Sequence, residues 1–162
     1  MSMHKIFLTI VLGAGGVSMV SAQPSTMTTR QASFPPVGVA LTETMQVNLF
    51  NQDAPATTGT APSCTGSISF VDSTGKAIAG TGGNFTVAAG QTQSISILGS
   101  KASTNTSTGA RAEVRAVVTL NSVHGTPCSL VDSLETFDST TGATHVYLLG
   151  SVLNVIPFPI SF

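Results

Sequence analysis

The chain has 162 residues, six Lys+Arg against seven Asp+Glu, a formal net charge of −1 and only 8% charged residues, where an ordinary domain carries about 25%. That length gives room for one domain. The charge excludes both the basic footprint of a nucleic-acid binder and an acidic tail. Abundant Ser, Thr, Val and Gly with few Leu, Lys and Glu point to strands and turns, not helices.

In chain order, His4 and Lys5 form a positive n-region, 6–20 is apolar, and Val20-Ser21-Ala22 supplies small residues for cleavage before Gln23. This is the pattern of a secretory signal peptide over 1–22; an uncleaved N-terminal anchor is the alternative. No Cys directly follows the apolar run, which excludes a lipid-modified N-terminal Cys. After residue 22 no 18 consecutive residues are apolar, so the mature chain is expected to carry no membrane-spanning helix.

Residues 23–33 are polar and aperiodic and read as a disordered leader. Phe34-Pro35-Pro36 enters a strand over 37–41, since prolines are tolerated at the start of an edge strand. Over 44–50, Met45, Val47 and Leu49 alternate with Gln46, Asn48 and Phe50, the period of a half-buried strand. Residues 51–63 form a loop. Cys64, Gly66, Ile68 and Phe70 then share one face of a strand that ends in the turn Asp72-Ser73-Thr74-Gly75, with 76–79 expected to return. A Gly-rich loop over 80–83 precedes a short strand at 84–88. After the Ala89-Gly90 turn a strand at 92–98 has Ile95 and Ile97 facing in.

Residues 99–109 read as a mobile loop. The strongest strand signal is 111–120, with Val114, Ala116, Val118 and Leu120 inward. Its inward residues are expected at the centre of a core with Leu49, Ile68, Phe70, Ile95 and Leu134. Residues 121–127 form a loop. Residues 128–137 form a strand with Cys128, Leu130, Leu134 and Thr136 on one parity. The turn at 138–142 leads into a strand at 144–149. An apolar tail, 151–162, is broken by Pro157 and Pro159.

Short strands with turns every 8 to 12 residues imply an all-β fold, an antiparallel sandwich or barrel of seven to nine strands occupying 34–150. Cys64 and Cys128 both open strands on inward parity. Outside the cytosol such a pair most simply forms a disulfide, joining neighbouring strands or the two sheets. Two free thiols or half of a metal site are the alternatives, but His124 and His145 lie at no metal-ligand spacing from them.

Several motifs run together: Cys64-Thr-Gly-Ser-Ile-Ser-Phe-Val-Asp-Ser-Thr-Gly, Phe85-Thr-Val-Ala-Ala-Gly-Gln-Thr-Gln-Ser-Ile-Ser-Ile, Glu113-Val-Arg-Ala-Val-Val, Cys128, and Leu134-Glu-Thr-Phe-Asp-Ser-Thr-Thr-Gly. Over 37–149 the chain resembles small exported bacterial proteins with an immunoglobulin-like β-sandwich and no assigned activity. The resemblance implies that fold and carries no catalytic residues across.

The titratable groups of the mature chain are His124, His145, Asp53, Asp72, Asp132, Asp138, Glu43, Glu113 and Glu135, with five Lys and Arg and Tyr147. There is no Gly-x-Ser-x-Gly elbow, no phosphate loop and no alternating Asp calcium loop. Asp72 and Asp138 read as turn caps, and His124 and His145 as surface residues. With no Trp and one Tyr, Tyr147, there is little aromatic platform for stacking sugars or bases. No catalytic, cofactor or metal residue is assigned and no cofactor is implied.

The sequence thus reads as a secreted or periplasmic non-catalytic binding or structural module. The alternative is a pilus or adhesin subunit joined by strand addition through a terminal extension. The C-terminal tail is the candidate surface for a protein partner or self-assembly. Phe158, Ile160 and Phe162 suggest the closing strand of an outer-membrane barrel, but Pro157 and Pro159 interrupt it and aromatic girdles are missing.

Overall fold

The computed structural model describes residues 27–59, 62–102, 111–123 and 128–155. Two antiparallel sheets face each other across a shared apolar core. The elements are β1 (Met27–Ser33), β2 (Val37–Val39), β3 (Glu43–Asn51), β4 (Ser63–Asp72), β5 (Gly83–Ala88), β6 (Thr92–Leu98), α1 (Gly99–Ala102), β7 (Ala112–Val123), β8 (Cys128–Asp138) and β9 (Thr144–Val155). The first sheet runs β1-β7-β4-β5, with β2 also paired to β7. The second runs β6-β3-β8-β9. The all-β sandwich expected from the alternation is the fold observed.

Strand periodicity places the core. Met45, Val47 and Leu49 of β3 and Leu130 and Leu134 of β8 are fully buried. They oppose Ile68 and Phe70 of β4 and Val114, Ala116, Val118 and Leu120 of β7. Ile95 is only half-buried against this cluster, because β6 is an edge strand whose inner face is covered at Ile97 and thins beyond it. Cys64 on β4 and Cys128 on β8 form a disulfide that joins the two sheets, with their Cα atoms 5.4 Å apart.

Four sequence expectations change. Residues 27–33, assigned to a disordered leader, form β1, in register with Val117–Val123 from Met27↔Val123 to Ser33↔Val117. The segment has no apolar period because it is an edge strand held by backbone pairing; β7 is long enough to need a partner on that side. Residues 76–79 make only the bridge Val71↔Ala77, and β5 takes their place beside β4. The first residues of the loop at 99–109 form the one-turn helix α1. Residues 151–155, assigned to the tail, complete β9: Leu153 pairs with Leu130 and is buried. The prolines that interrupt the tail come only after this strand. The signal-peptide segment 1–22, His124 and residues 156–162 lie outside the described residues.

One glycine sets the spacing inside the first sheet. A Cβ at Gly66 would lie 2.1 Å from the Thr119 carbonyl oxygen and 2.5 Å from Phe85 Cζ. The nearer atom is backbone in the middle of a paired ladder, so it cannot step aside. Gly66→Ala is therefore expected to cost more than about 2 kcal/mol through overpacking, measured by thermal unfolding. An unchanged melting temperature would contradict the close approach.

Candidate functional site

The polar side chains gather in four places. At one end of the sandwich Glu43, 2% exposed, bonds to three groups at once. Its Oε2 accepts the Ala40 N–H at 2.8 Å. Its Oε1 meets the Arg111 guanidinium and, at 2.6 Å, His145 Nδ1. Arg111 Nη1 also donates to the Gly38 carbonyl at 2.9 Å. The cluster thus clamps β2, β3, the start of β7 and the start of β9. Glu43 needs all of these partners, because an unpaired buried carboxylate would be several kcal/mol unfavourable.

Burial pushes the Glu43 carboxyl up, but the Ala40 N–H, His145 and Arg111 together outweigh it and hold the group below the usual 4.5. A lowered carboxylate adds stability that is present above the unfolded value and lost as pH falls through the folded one. Wild-type protein is therefore expected to lose stability on acidification below about pH 4.5. Glu43→Gln should flatten that dependence. It should not abolish it, because Asp72 and Asp138 are also lowered. Urea midpoints measured from neutral pH downwards check this. Identical pH slopes for wild type and Glu43→Gln would contradict it.

The turn aspartates act as the sequence suggested. Asp72 Oδ1 accepts the Thr74 hydroxyl at 2.6 Å, the Thr74 N–H at 2.9 Å and the Lys76 N–H at 3.0 Å. Gly75 closes the turn at φ +83°, a conformation that suits glycine. Asp138 Oδ1 likewise accepts the Thr140 and Thr141 N–H groups at 2.9 and 2.8 Å. These bonds, led at Asp72 by the Thr74 hydroxyl and at Asp138 by the Thr141 N–H, hold both carboxyls below the usual range. Asp72 also lines a shallow cleft with Pro36, Glu113 and Arg115.

A third feature lies where β1 and β9 approach. A cleft of about 330 Å³ is lined by Phe34, Pro35, Leu149, Gly150 and Asp132. Asp132 is 1% exposed and shares the inward parity of Leu130 and Leu134. It sits at a register shift between β8 and β9. Gly150 is required opposite it, since a Cβ there would come within 2.0 Å of Asp132 Oδ1. Asp53 serves the fold, because its Oδ2 accepts the Ser129 N–H at 3.1 Å.

The fourth is the outer face of the second sheet. Ser94 Oγ donates to Asn48 Oδ1 at 2.6 Å, and Gln46 Nε2 donates to the same oxygen at 2.8 Å. Glu135 Oε1 accepts from Asn48 Nδ2 at 3.0 Å and from Gln46 Nε2 at 3.2 Å. Tyr147, 58% exposed, is the register partner of Glu135, and Leu149, 77% exposed, is the partner of Ser133.

No family model, curated protein or solved structure matches the chain. The residues themselves therefore carry the functional reading. Among the described residues no group of three or more His, Cys, Asp or Glu is placed to hold a metal ion, and no helix is long and apolar enough to cross a membrane. Of the predicted pair, Cys64 and Cys128 come together. The Glu43–Arg111–His145 clamp and the Gln46–Asn48–Glu135 row were missed. Their members are scattered along the chain and meet only through strand register. The recurrence of polar residues on the outward parity of 44–50 and 128–137 is a sequence signal for Gln46, Asn48 and Glu135 alone.

Proposed function

We propose that this chain is an exported, non-catalytic β-sandwich that serves as a binding or structural module, as in the exported immunoglobulin-like proteins it resembles. The observation that carries the reading is the Cys64–Cys128 bridge between the sheets. Such bridges persist in oxidising compartments, which agrees with a cleavable signal peptide over 1–22. The non-catalytic reading is supported by the use of four of the seven acidic groups. Glu43 clamps strands, Asp53 holds β8, and Asp72 and Asp138 cap turns. A general base needs such a group held toward a reacting atom. His145 is the best-placed base, oriented by Glu43. Purified protein is expected to turn over no glycan, peptide or ester substrate. Turnover that is lost in His145→Ala would overturn the reading.

Assembly by strand addition is a second reading, favoured by β9. This twelve-residue strand lies at the edge of its sheet and carries no Asp, Glu, Lys or Arg. Edge strands in monomers are usually blunted by charge or proline. A ladder of concentration-dependent oligomers, abolished by Leu149→Lys, is the expected sign of assembly; a strict monomer at all concentrations would contradict it.

A further inference from the structure

The outer face of the second sheet is built the opposite way round from a protein interface. A protein interface has an apolar centre and a polar rim. Here the polar residues are central. The register aligns Ser96, Gln46, Glu135 and Tyr147 in one row across β6, β3, β8 and β9, and Ser94, Asn48, Ser133 and Leu149 in the next. Phe50, 40% exposed, flanks these rows on one side and Leu98, 51% exposed, on the other. At a strand spacing of about 4.8 Å, each row extends about 14 Å.

The hydrogen bonds within and between the rows fix the planar groups and leave a defined set of valences. Gln46 uses its Nε2, Asn48 its Oδ1 and one N–H, and Glu135 its Oε1. Gln46 Oε1, Glu135 Oε2, the second Asn48 N–H and the Ser94 lone pairs remain for a ligand. Acceptors and a donor thus alternate over a few ångströms, beside the exposed ring of Tyr147. Among the described residues of these rows Glu135 carries the sole formal charge, so the face repels phosphate and sulfate groups.

We propose that this face binds an uncharged glycan chain, its hydroxyls bonded to Gln46, Asn48 and Glu135 and one sugar ring stacked on Tyr147. Hydroxyls both donate and accept, which matches the mixed set. The C–H face of a sugar ring suits an aromatic face at the end of a polar row. The proposal rests on the binding-module reading and names its ligand class.

The test is native electrophoresis of the whole protein through gels containing soluble β-glucan, α-glucan or galactomannan, all uncharged, with the probe afterwards analysed for cleavage. At least one probe is expected to retard the wild type. Tyr147→Ala and Gln46→Ala should each weaken retention about tenfold, a change of about 1.4 kcal/mol. Tyr147→Phe, which keeps the ring, should retain it, as should Thr119→Ala on the outer face of the other sheet. Equal circular dichroism spectra of the variants exclude misfolding as the cause. Absence of retention on every probe, or retention indifferent to Tyr147→Ala, overturns the glycan site and leaves the module reading standing. Retention that depends on Tyr147 together with cleavage of the probe supports the site and overturns the non-catalytic reading.

Discussion

Replacing both Cys64 and Cys128 with alanine is expected to lower the melting temperature by roughly 10–20 °C, by the usual scaling of stability with domain size. The bridge closes a loop with a sequence separation of 64. In the chain-entropy model such a loop removes about 4 kcal/mol of unfolded-state freedom. Total stabilities are about 5–15 kcal/mol, so the loss is a large fraction of the whole. The position of the bridge adds to this. Cys64 and Cys128 are both buried and join β4 of one sheet to β8 of the other, so their loss also loosens the contact between the sheets. Thermal scans with and without reductant measure the effect. A melting temperature unchanged by reduction would mean that the apolar core alone holds the sheets together.

The second large effect is expected at Val118. It lies fully buried in β7, between Ala32 of β1 and Ile68 of β4. It belongs to the apolar cluster shared by the two sheets. Val118→Asp therefore forces an unpaired charge into apolar surroundings at a cost of several kcal/mol, enough to unfold the domain. Thr119, one residue on, points outward between Gln31 and Ser67. Thr119→Asp is expected to cost less than about 1 kcal/mol. Far-UV circular dichroism should show strand signal for the second variant and none for the first. Equal tolerance at both sites would reverse the assigned faces of β7.

These two sites also mark how far the sequence could be read. β3, β4, β7 and β8 were legible because each is central, with one face on the core, so apolar residues fall on alternate positions. The cysteines fell on the buried parity of two such strands. The edges were not legible in the same way. β1 is almost wholly polar and exists through backbone pairing with β7, a contact that leaves no mark on side-chain pattern. The end of β9 was hidden by the shift in register at Gly150, which breaks the period of two before Leu153 resumes it.

The polar groupings were illegible for a further reason. Glu43, Arg111 and His145 are 68 and 102 residues apart in their two contacts, and Gln46 and Glu135 are 89 apart. Only strand order brings them together. Tyr147, unpromising as a lone aromatic, gains its interest from the Glu135 and Gln46 side chains that the register sets beside it. The turn caps were read correctly because Asp-x-x-Gly chemistry is local: the residues that bond are two to four apart.

An exported sandwich held by a disulfide is the central claim, and the intact mass of native protein recovered from outside the cytosol tests it most directly. The predicted mass is that of a chain beginning at Gln23, less two hydrogens, with no thiol open to alkylation before reduction. Recovery of the protein only from the cytosol, with its N-terminal segment retained and both Cys64 and Cys128 alkylated without reduction, would contradict it.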